Sequence, residues 1–179
     1  MTSIMWRRMD GSGLERCEMS DGDGPIKISG TTLLSTDGGP VEIRYSIALD
    51  GNWQTETVGV TVRGPDDERS VALRADGRGD WSAGDEVLAD LRGATDVDFA
   101  WTPATNTIPI RRLALEVGSS AAVAAIHVPY PNRDVGLRSQ TYERLSPRRY
   151  RFTSGAFETD LTVDDQGLVH QYPGQWTVA

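Results

Sequence analysis

The amino-acid sequence predicts an all-β fold, built mainly from antiparallel strands that wrap into a barrel or a closed sandwich. Apolar and polar residues alternate with a period of two along much of the chain, as in strands that pack one face and expose the other. Turn-forming clusters recur at roughly 8–14 residues, a spacing typical of antiparallel hairpins. No matching layer of helices is predicted, so the sheet has to bury its apolar face against itself or against a second sheet.

The alternation is clearest in five segments, each with apolar side chains at every second position. They are Val41–Leu49, Thr57–Arg63, Ser70–Arg74, Arg112–Val117 and Phe157–Asp164. The alanine-rich segment Ser119–Ile126 is also predicted to be a strand, because Gly118 and Val128-Pro129 flank it.

Turns are predicted where Asp, Gly, Asn and Pro cluster between these strands. The clusters occupy residues 21–25, 37–40, 50–52, 64–66, 76–79 and 165–167. One segment, Ala83–Leu91, favours a short helix or a 3₁₀ turn, because Val87, Leu88 and Leu91 fall on one helical face. We therefore expect at most one or two short helices in the whole fold.

Length and charge narrow the class of protein. A chain of 179 residues corresponds to one domain, residues 1–179. The net charge of −8 and the pI near 4.7 argue against a nucleic-acid partner, because affinity for nucleic acid comes mainly from Lys and Arg at phosphates. The same acidic balance argues against docking on anionic lipid surfaces by a basic patch.

Other sequence features limit where the protein can be located in the cell and which chemistry it can carry out. The single cysteine, Cys17, excludes an internal disulfide framework and a cysteine zinc site. Residues 1–10 lack the apolar stretch of a signal peptide, and no segment approaches the ~18 apolar residues of a membrane span. We expect a cytoplasmic protein without stable membrane insertion. We expect no cofactor, no metal site and no known catalytic set, and the oligomeric state stays open.

The segment Asp96–Leu113 has the most distinctive composition. It places two carboxylates, a Thr-Asn-Thr core between two prolines and a pair of arginines within eighteen residues. Aromatic residues add a second signal, since Trp53, Trp81 and Trp101 each lie beside a turn or a strand end. Such aromatics mostly cap a core, but sugar rings also stack on them and acyl chains pack against them.

Arg111 is the residue of this segment that most needs a partner. If the alternation in Leu113–Val117 extends backwards, Arg111 points inward, and an unpaired buried guanidinium is very costly. One interpretation is an internal clamp to a carboxylate such as Asp96 or Asp98, which would hold a Thr102–Pro109 loop. The other is a polar anchor at the mouth of an apolar cavity, for a phosphate, a carboxylate or a sugar.

The central segment resembles the signature of the glycolipid-binding protein family, long a domain of unknown function. Further blocks agree with that family in order: Tyr45–Ile47 with Asp50 and Trp53, Asp76–Trp81 with Gly84 and Leu88, Gln140–Tyr142, and positions from Tyr150 to Gly174. The resemblance covers almost the whole chain. It implies a single closed or nearly closed β-barrel of many antiparallel strands, with an apolar interior, similar in outline to bacterial lipoprotein carrier proteins.

The residues of the family's motif carry over position by position, and no catalytic set comes with them. They are Asp96, Asp98, Thr102, Pro103, Thr105, Asn106, Thr107, Pro109, Arg111 and Arg112. The leading hypothesis is a soluble protein that holds a glycolipid or another lipid-like molecule in an apolar barrel cavity, anchored near the Thr102–Arg112 loop. The candidate ligand-binding residues are Tyr45, Trp53, Glu56, Asp96, Asp98, Trp101, Thr102, Asn106, Arg111 and Tyr142.

Two other hypotheses remain open. The chain could be an enzyme of the cyclase or isomerase type, which would need Tyr45, Glu56, Asp98 and Arg111 around one dry cavity. Alternatively, it could be an adaptor whose barrel is filled by its own side chains.

Overall fold

The computed structural model describes residues 1–22, 24–130 and 135–179. The strands of this described part are β1 (Thr2–Arg8), β2 (Gly13–Ser20), β3 (Ile26–Thr36), β4 (Gly39–Leu49), β5 (Thr55–Arg63), β6 (Glu68–Ala75), β7 (Trp81–Ala83), β8 (Glu86–Val87), β9 (Asp96–Phe99), β10 (Ser120–Val128), β11 (Gly136–Ser146), β12 (Arg149–Ser154), β13 (Phe157–Val163), β14 (Val169–Tyr172) and β15 (Trp176–Val178). The helical pieces are 3₁₀ turns at Ala89–Leu91 and Ala104–Asn106 and one helix, α1 (Thr107–Leu113).

All of these strands belong to one sheet, ordered β8-β7-β6-β5-β4-β3-β2-β1-β15-β14-β13-β12-β11-β10-β9. Neighbours pair antiparallel, except that β9 runs parallel to β10. The two ends of the sheet approach each other, because the Gly93 N–H donates to the Gly79 carbonyl at 2.8 Å and the Thr55 N–H faces the Thr95 carbonyl at 3.5 Å. The predicted all-β, nearly closed fold is therefore confirmed.

Most of the predicted elements lie where expected. The alternating segments at 41–49, 57–63, 70–74 and 157–163 fall within β4, β5, β6 and β13, and Ser119–Ile126 lies almost entirely in β10. The predicted turns lie between strands, except that the one at 37–40 includes the first two residues of β4. The first turn includes residue 23, which is outside the described residues. The helix expected at Ala83–Leu91 is largely wrong, because only Ala89–Leu91 is helical and Glu86–Val87 pairs with β7.

The connection between β9 and β10 is the main surprise of the fold. Residues 101–110 are all buried, and the 3₁₀ turn at Ala104–Asn106 runs directly into α1. We call residues Trp101–Leu113 the plug. A parallel strand pair needs a crossover connection, usually a helix. Here that crossover lies inside the curled sheet, since it touches β2 through Glu15, β11 through Tyr142 and the β4–β5 turn through Trp53.

The plug corrects two predictions. The Thr102–Pro109 segment is helical and buried rather than a loop, and Arg112–Val117 is not a strand, because α1 ends at Leu113 and Ala114 adopts a left-handed φ of 44°. Both prolines allow the helix. Pro103 precedes the 3₁₀ turn, and Pro109 lies in the first turn of α1, where its missing N–H costs no hydrogen bond.

The inward faces of the strands form one core around the plug. Its largest members include four fully buried tryptophans, Trp6, Trp81, Trp101 and Trp176. Two of them donate hydrogen bonds from the indole N–H to backbone carbonyls, Trp6 to Val169 and Trp81 to Ala94. Truncating one such side chain to Ala typically costs about 3–5 kcal/mol. The interior expected to be an apolar chamber is thus occupied by the plug and by these aromatic rings.

Within the described residues, no helix has the length and apolar character needed to cross a membrane.

Candidate functional site

The two ends of the plug lie at opposite ends of the curled sheet. Its start shares a pocket with the β12–β13 and β14–β15 turns, through Phe157 and Gln175. Its final residues share a groove with the β11–β12 and β13–β14 turns, through Pro147 and Gly167. Successive turns of an antiparallel meander lie at alternate ends, so these two pairs of turns are separated by the length of the strands.

A buried carboxyl group holds the start of the plug. Glu15 on β2 is 1% exposed, and its Oε1 accepts hydrogen bonds from the hydroxyls of Tyr45 at 2.5 Å and Thr102 at 2.6 Å. Thr32, its cross-strand neighbour, is the third hydroxyl near this carboxyl, but Glu15 Oε2 and Thr32 Oγ1 have no hydrogen-bond partner among the described residues. Burial raises the pKa of Glu15 to about 7, and the hydroxyl donors offset part of that increase.

Sequence reasoning missed Glu15, although a signal was present. Leu14, Arg16 and Glu18 alternate with Glu15, Cys17 and Met19 in β2. The period of two therefore places this carboxyl on the same inward face as two apolar side chains. Burial also raises the pKa of the Tyr45 hydroxyl well above its usual value and that of the Cys17 thiol to about 12, so Cys17 lacks the thiolate character of a reactive cysteine.

The carboxylate clamp predicted for Arg111 exists, but it uses the next arginine. Arg112 donates to both oxygens of Asp96, at 3.0 Å from Nε and 2.6 Å from Nη2. The side chain of Asp96 is 1% exposed, and Thr95 also donates to it at 2.7 Å. The helix rather than a strand decides this choice, because successive helical residues point about 100° apart.

Asp98 lies two residues along the same strand but has a different environment. Its Oδ2 accepts from Gln140 Nε2 at 2.7 Å and lies 3.0 Å from His127 Nδ1. Close by, Asn106 Nδ2 donates to the Tyr142 hydroxyl at 2.8 Å. Burial is the main cause that raises the pKa of Tyr142 well above its usual value, and the negative charge of Asp98 adds to it.

Asp98, Asn106 and His127 line a pocket of about 180 Å³ at the start of the plug, which we call the Asp98 pocket. Its polar lining combines a carboxylate, an amide, an imidazole and a guanidinium, and its apolar lining is aromatic. The residues that matter most are Asp98, Asn106, His127, Arg138, Phe152, Phe157 and Tyr172. Of the predicted site residues, Asp98, Thr102 and Asn106 line this pocket. A fourth, Tyr142, is hydrogen-bonded to Asn106.

An apolar groove of about 220 Å³ lies where the two ends of the sheet face each other, and we call it the seam groove. One wall comes from β5 and β6 and the other from the ends of β9 and β10. Its apolar lining is Val60, Val62, Val71, Trp101, Val128, Pro129 and Val135. The predicted residue Trp101 therefore lines an apolar surface, 2% exposed, and stacks on Phe99 with ring centroids 4.8 Å apart.

Trp53 and Arg111, also predicted as ligand-binding, lie at the other end of the plug. The guanidinium of Arg111 lies 4.7 Å from the centroid of the Trp53 ring, and its Nη2 is 3.3 Å from Asp21 Oδ2. Both line a groove of about 460 Å³ together with Arg144 and Tyr150, and we call it the arginine groove.

Glu56 lines a fourth region, an open polar groove of about 670 Å³ beside Arg74 and Arg78. The Tyr45 hydroxyl donates a hydrogen bond to Glu15 inside the core. The four residues that the enzyme hypothesis required around one cavity are therefore spread over the core and three separate pockets. Sequence reasoning also missed His127, Gln140 and the aromatic wall of the Asp98 pocket, which come from strands far apart in the chain.

Residues 3–177 match a family model described as "Putative glycolipid-binding". A crystal structure of a DUF1089 family protein from Pseudomonas aeruginosa has a TM-score of 0.85 to this chain, with 32% sequence identity, covering 93% of this chain and 91% of that one. Among curated proteins, none matches the chain.

Proposed function

The chain belongs to the glycolipid-binding family whose model it matches, and from that premise we propose that it binds one amphipathic ligand of the glycolipid type. The hydroxyl-rich head group lies in the Asp98 pocket, and the alkyl or acyl part lies in the seam groove. The anchor is thus at the start of the plug.

The lining of the Asp98 pocket is the observation that carries this proposal. Sugar hydroxyls donate to carboxylates and accept from amides, imidazoles and guanidiniums, and Asp98, Asn106, His127 and Arg138 supply all of these groups. Aromatic rings such as Phe157 provide a surface on which a sugar face packs. At ~30 Å³ for each water, the pocket holds roughly six water molecules, the space of a single sugar ring.

The seam groove supports the apolar half of the ligand. The two spaces lie beside the same stretch of backbone: Asp98 and His127 line the pocket, whereas Trp101 and Val128 line the groove. Phe99 and Val128 are paired residues of β9 and β10, so the polar and the apolar lining meet at the end of these two strands. Each methylene buried there contributes about 0.8 kcal/mol.

A series of alkyl β-glucosides tests the proposal. We expect methyl glucoside to bind weakly and affinity to rise with the methylene count until the seam groove is full, measured by calorimetry below the micelle concentration. The protein should be stabilised against thermal unfolding in the same order. A series in which chain length leaves the affinity unchanged, or in which octyl glucoside gives no binding, contradicts the proposal.

Two variants separate the halves of the site. Asp98→Asn removes the carboxylate charge and should weaken every glucoside equally, whereas Val71→Trp fills the seam groove and should abolish only the gain from chain length. The matched controls are Asp165→Asn, a carboxylate at the opposite end, and Leu33→Trp, an exposed apolar position on β3. Controls that weaken binding as much as their partners would place the ligand elsewhere.

A further inference from the structure

The arginine groove combines cationic and aromatic side chains in a way that the glycolipid proposal does not use. Its floor is formed by Trp53, Ile110, Tyr150 and Val163, all buried, and two half-buried arginines, Arg111 and Arg144, line it. Its volume of about 460 Å³ lies within the range of small-molecule sites, roughly 300–1,000 Å³.

Both guanidiniums are held against aromatic rings. Arg111 lies 4.7 Å from the Trp53 centroid and Arg144 lies 5.6 Å from the Tyr150 centroid. Such stacking fixes the plane of the guanidinium fork and leaves its edge N–H groups for acceptors. Gly167 adds to the fixed position of Arg111, since a Cβ at this glycine would lie 3.3 Å from Arg111 Cδ.

The positive charge of these two arginines is weakly compensated. Arg144 donates to the backbone carbonyls of Leu115 at 2.7 Å and Pro147 at 2.9 Å, and it has no carboxylate within ion-pair distance in the described part of the chain. Its buried Nε has no hydrogen-bond partner there either. Among the described residues, the carboxylate that Arg111 reaches is Asp21, at 3.3 Å, longer than the 2.7–2.9 Å of a strong charge-assisted bond.

The two carboxylates in the lining are already engaged. Asp164 Oδ1 accepts the backbone N–H groups of Gln166 and Leu168, both at 2.9 Å. Asp165 is paired through both oxygens with Arg148, at 2.8 and 2.5 Å. These contacts stabilise the β13–β14 turn, and within the described residues neither acid forms an ion pair with Arg111 or Arg144.

Backbone strain is concentrated at the same place. Among the described residues, Trp53 and Ala114 are the two non-glycine residues with a left-handed φ, 66° and 44°, and both line this groove. Such conformations cost about 1–3 kcal/mol each and cluster at functional sites. The strained backbone at residue 53 presents the ring on which Arg111 stacks.

We propose that the arginine groove is a second binding site, which takes a phosphate group between Arg111 and Arg144. Guanidinium forks bind phosphate oxygens in pairs, and a tetrahedral dianion accepts from two forks at once. The apolar floor fits either a free phosphate compound or the phosphate end of a lipid. This site is independent of the sugar pocket, since the two lie at opposite ends of the plug.

Calorimetry with inorganic phosphate and with dodecyl phosphate below its micelle concentration tests the proposal and separates the two sources. A free phosphate ligand predicts similar affinities for the two probes, and a lipid phosphate predicts tighter binding of dodecyl phosphate. In either case, Arg111→Gln should lower the affinity about tenfold, which corresponds to about 1.4 kcal/mol, and raising the salt concentration should weaken binding. Arg92→Gln is the control and should change little, because this exposed arginine pairs with Asp80 and neither residue lines the groove.

Arg111→Gln is the decisive variant, because Arg144 also holds two backbone carbonyls and its removal could unfold the turn. Octyl glucoside should bind Arg111→Gln like the unmodified protein, so failure of one site is distinguishable from failure of the other. Phosphate probes that do not bind, or that bind Arg111→Gln and the unmodified protein equally, overturn the proposal.

Discussion

The two halves of the plug solve the problem of buried polarity in opposite ways. The first half, Thr102–Asn106, uses hydroxyl and amide groups whose partners are a buried carboxyl group and a tyrosine. The second half ends in Arg111 and Arg112, which meet carboxylates of the shell. Arginines at the C-terminus of a helix also interact favourably with its dipole. Charged pairs therefore lie at the C-terminal end of the plug, and largely uncharged hydrogen-bond networks lie at its N-terminal end.

This difference bears on function as well as on stability. At the start of the plug, the polar groups continue into a small pocket that suits uncharged hydroxyls. At its end, the guanidiniums face a wider groove that suits an anion. One segment, Trp101–Leu113, thus positions both proposed sites while connecting two parallel strands.

The adjacent arginines allow the strongest test of this comparison. Arg112→Ala leaves the buried Asp96 without its partner and should lower the free energy of unfolding by about 3–5 kcal/mol. Arg111→Ala, the matched control, loses a pair in which both side chains are about one-third exposed and should cost about 1 kcal/mol or less. Urea denaturation measures both. Equal losses would show that the two arginines are equivalent.

The protonation of Glu15 gives the next largest effect. Its folded pKa of about 7 lies above its ordinary value of 4.5, so the folded state binds the proton more tightly than the unfolded chain does. The associated stability is fully present below pH 4.5 and is lost as the pH rises through about 7, a change of roughly 3 kcal/mol. The groups that face this carboxyl, Tyr45 and Cys17, stay neutral in that range because burial raises their pKa values.

Chemical denaturation between pH 4 and pH 8.5 measures this effect, with Glu15→Gln as the reference that cancels every other titrating group. As the pH rises, the unmodified protein should lose roughly 3 kcal/mol of unfolding free energy relative to Glu15→Gln. A difference that stays constant with pH would mean that Glu15 does not titrate in this range.

Asn106 tests the uncharged network by itself. Asn106→Ala removes the donor to the Tyr142 hydroxyl and should cost about 1–3 kcal/mol, because a buried polar group loses its partner. The control is Thr61→Ala, which removes an exposed hydroxyl contact with Ser70 and should change stability by less than about 0.5 kcal/mol. If Asn106→Ala costs no more than this control, the network contributes nothing to holding the plug.

The smallest effect is a stabilisation at the end of the plug. Ala114 has a left-handed φ of 44°, directly after α1, where glycine is the preferred residue. Ala114→Gly should therefore raise the free energy of unfolding by about 0.5–1 kcal/mol. Alanine-to-glycine changes normally destabilise, so a loss of stability in thermal unfolding would show that this backbone is not strained.

Sequence reasoning succeeded where the pattern is local. Period-two alternation predicted β4, β5, β6 and β13, and turn residues predicted the ends of the strands. It failed at Arg112–Val117, because the apolar residues Leu113, Leu115 and Val117 alternate over a stretch where a helix ends and a loop follows. One of the two interpretations of Arg111, the internal clamp to Asp96, therefore describes a contact that Arg112 makes.

The sequence predicted some of the residues of the candidate site, but not which residues from distant strands join them. Asp98, Thr102 and Asn106 were recognised and do share a pocket. His127, Gln140 and Phe157 were not, because strands that are distant in the chain bring them there. Glu15 could have been found from its place on the same face of β2 as Cys17 and Met19, an otherwise apolar face.

By itself, the sequence determined the all-β class, the positions of most strands and turns, and the family, since these depend on patterns among near neighbours in the chain. Only the tertiary structure decided that the central segment is a buried plug and which polar groups meet on it. Thr102 and Glu15 are 87 residues apart, and a contact over that distance depends on how the whole sheet curls rather than on any local pattern.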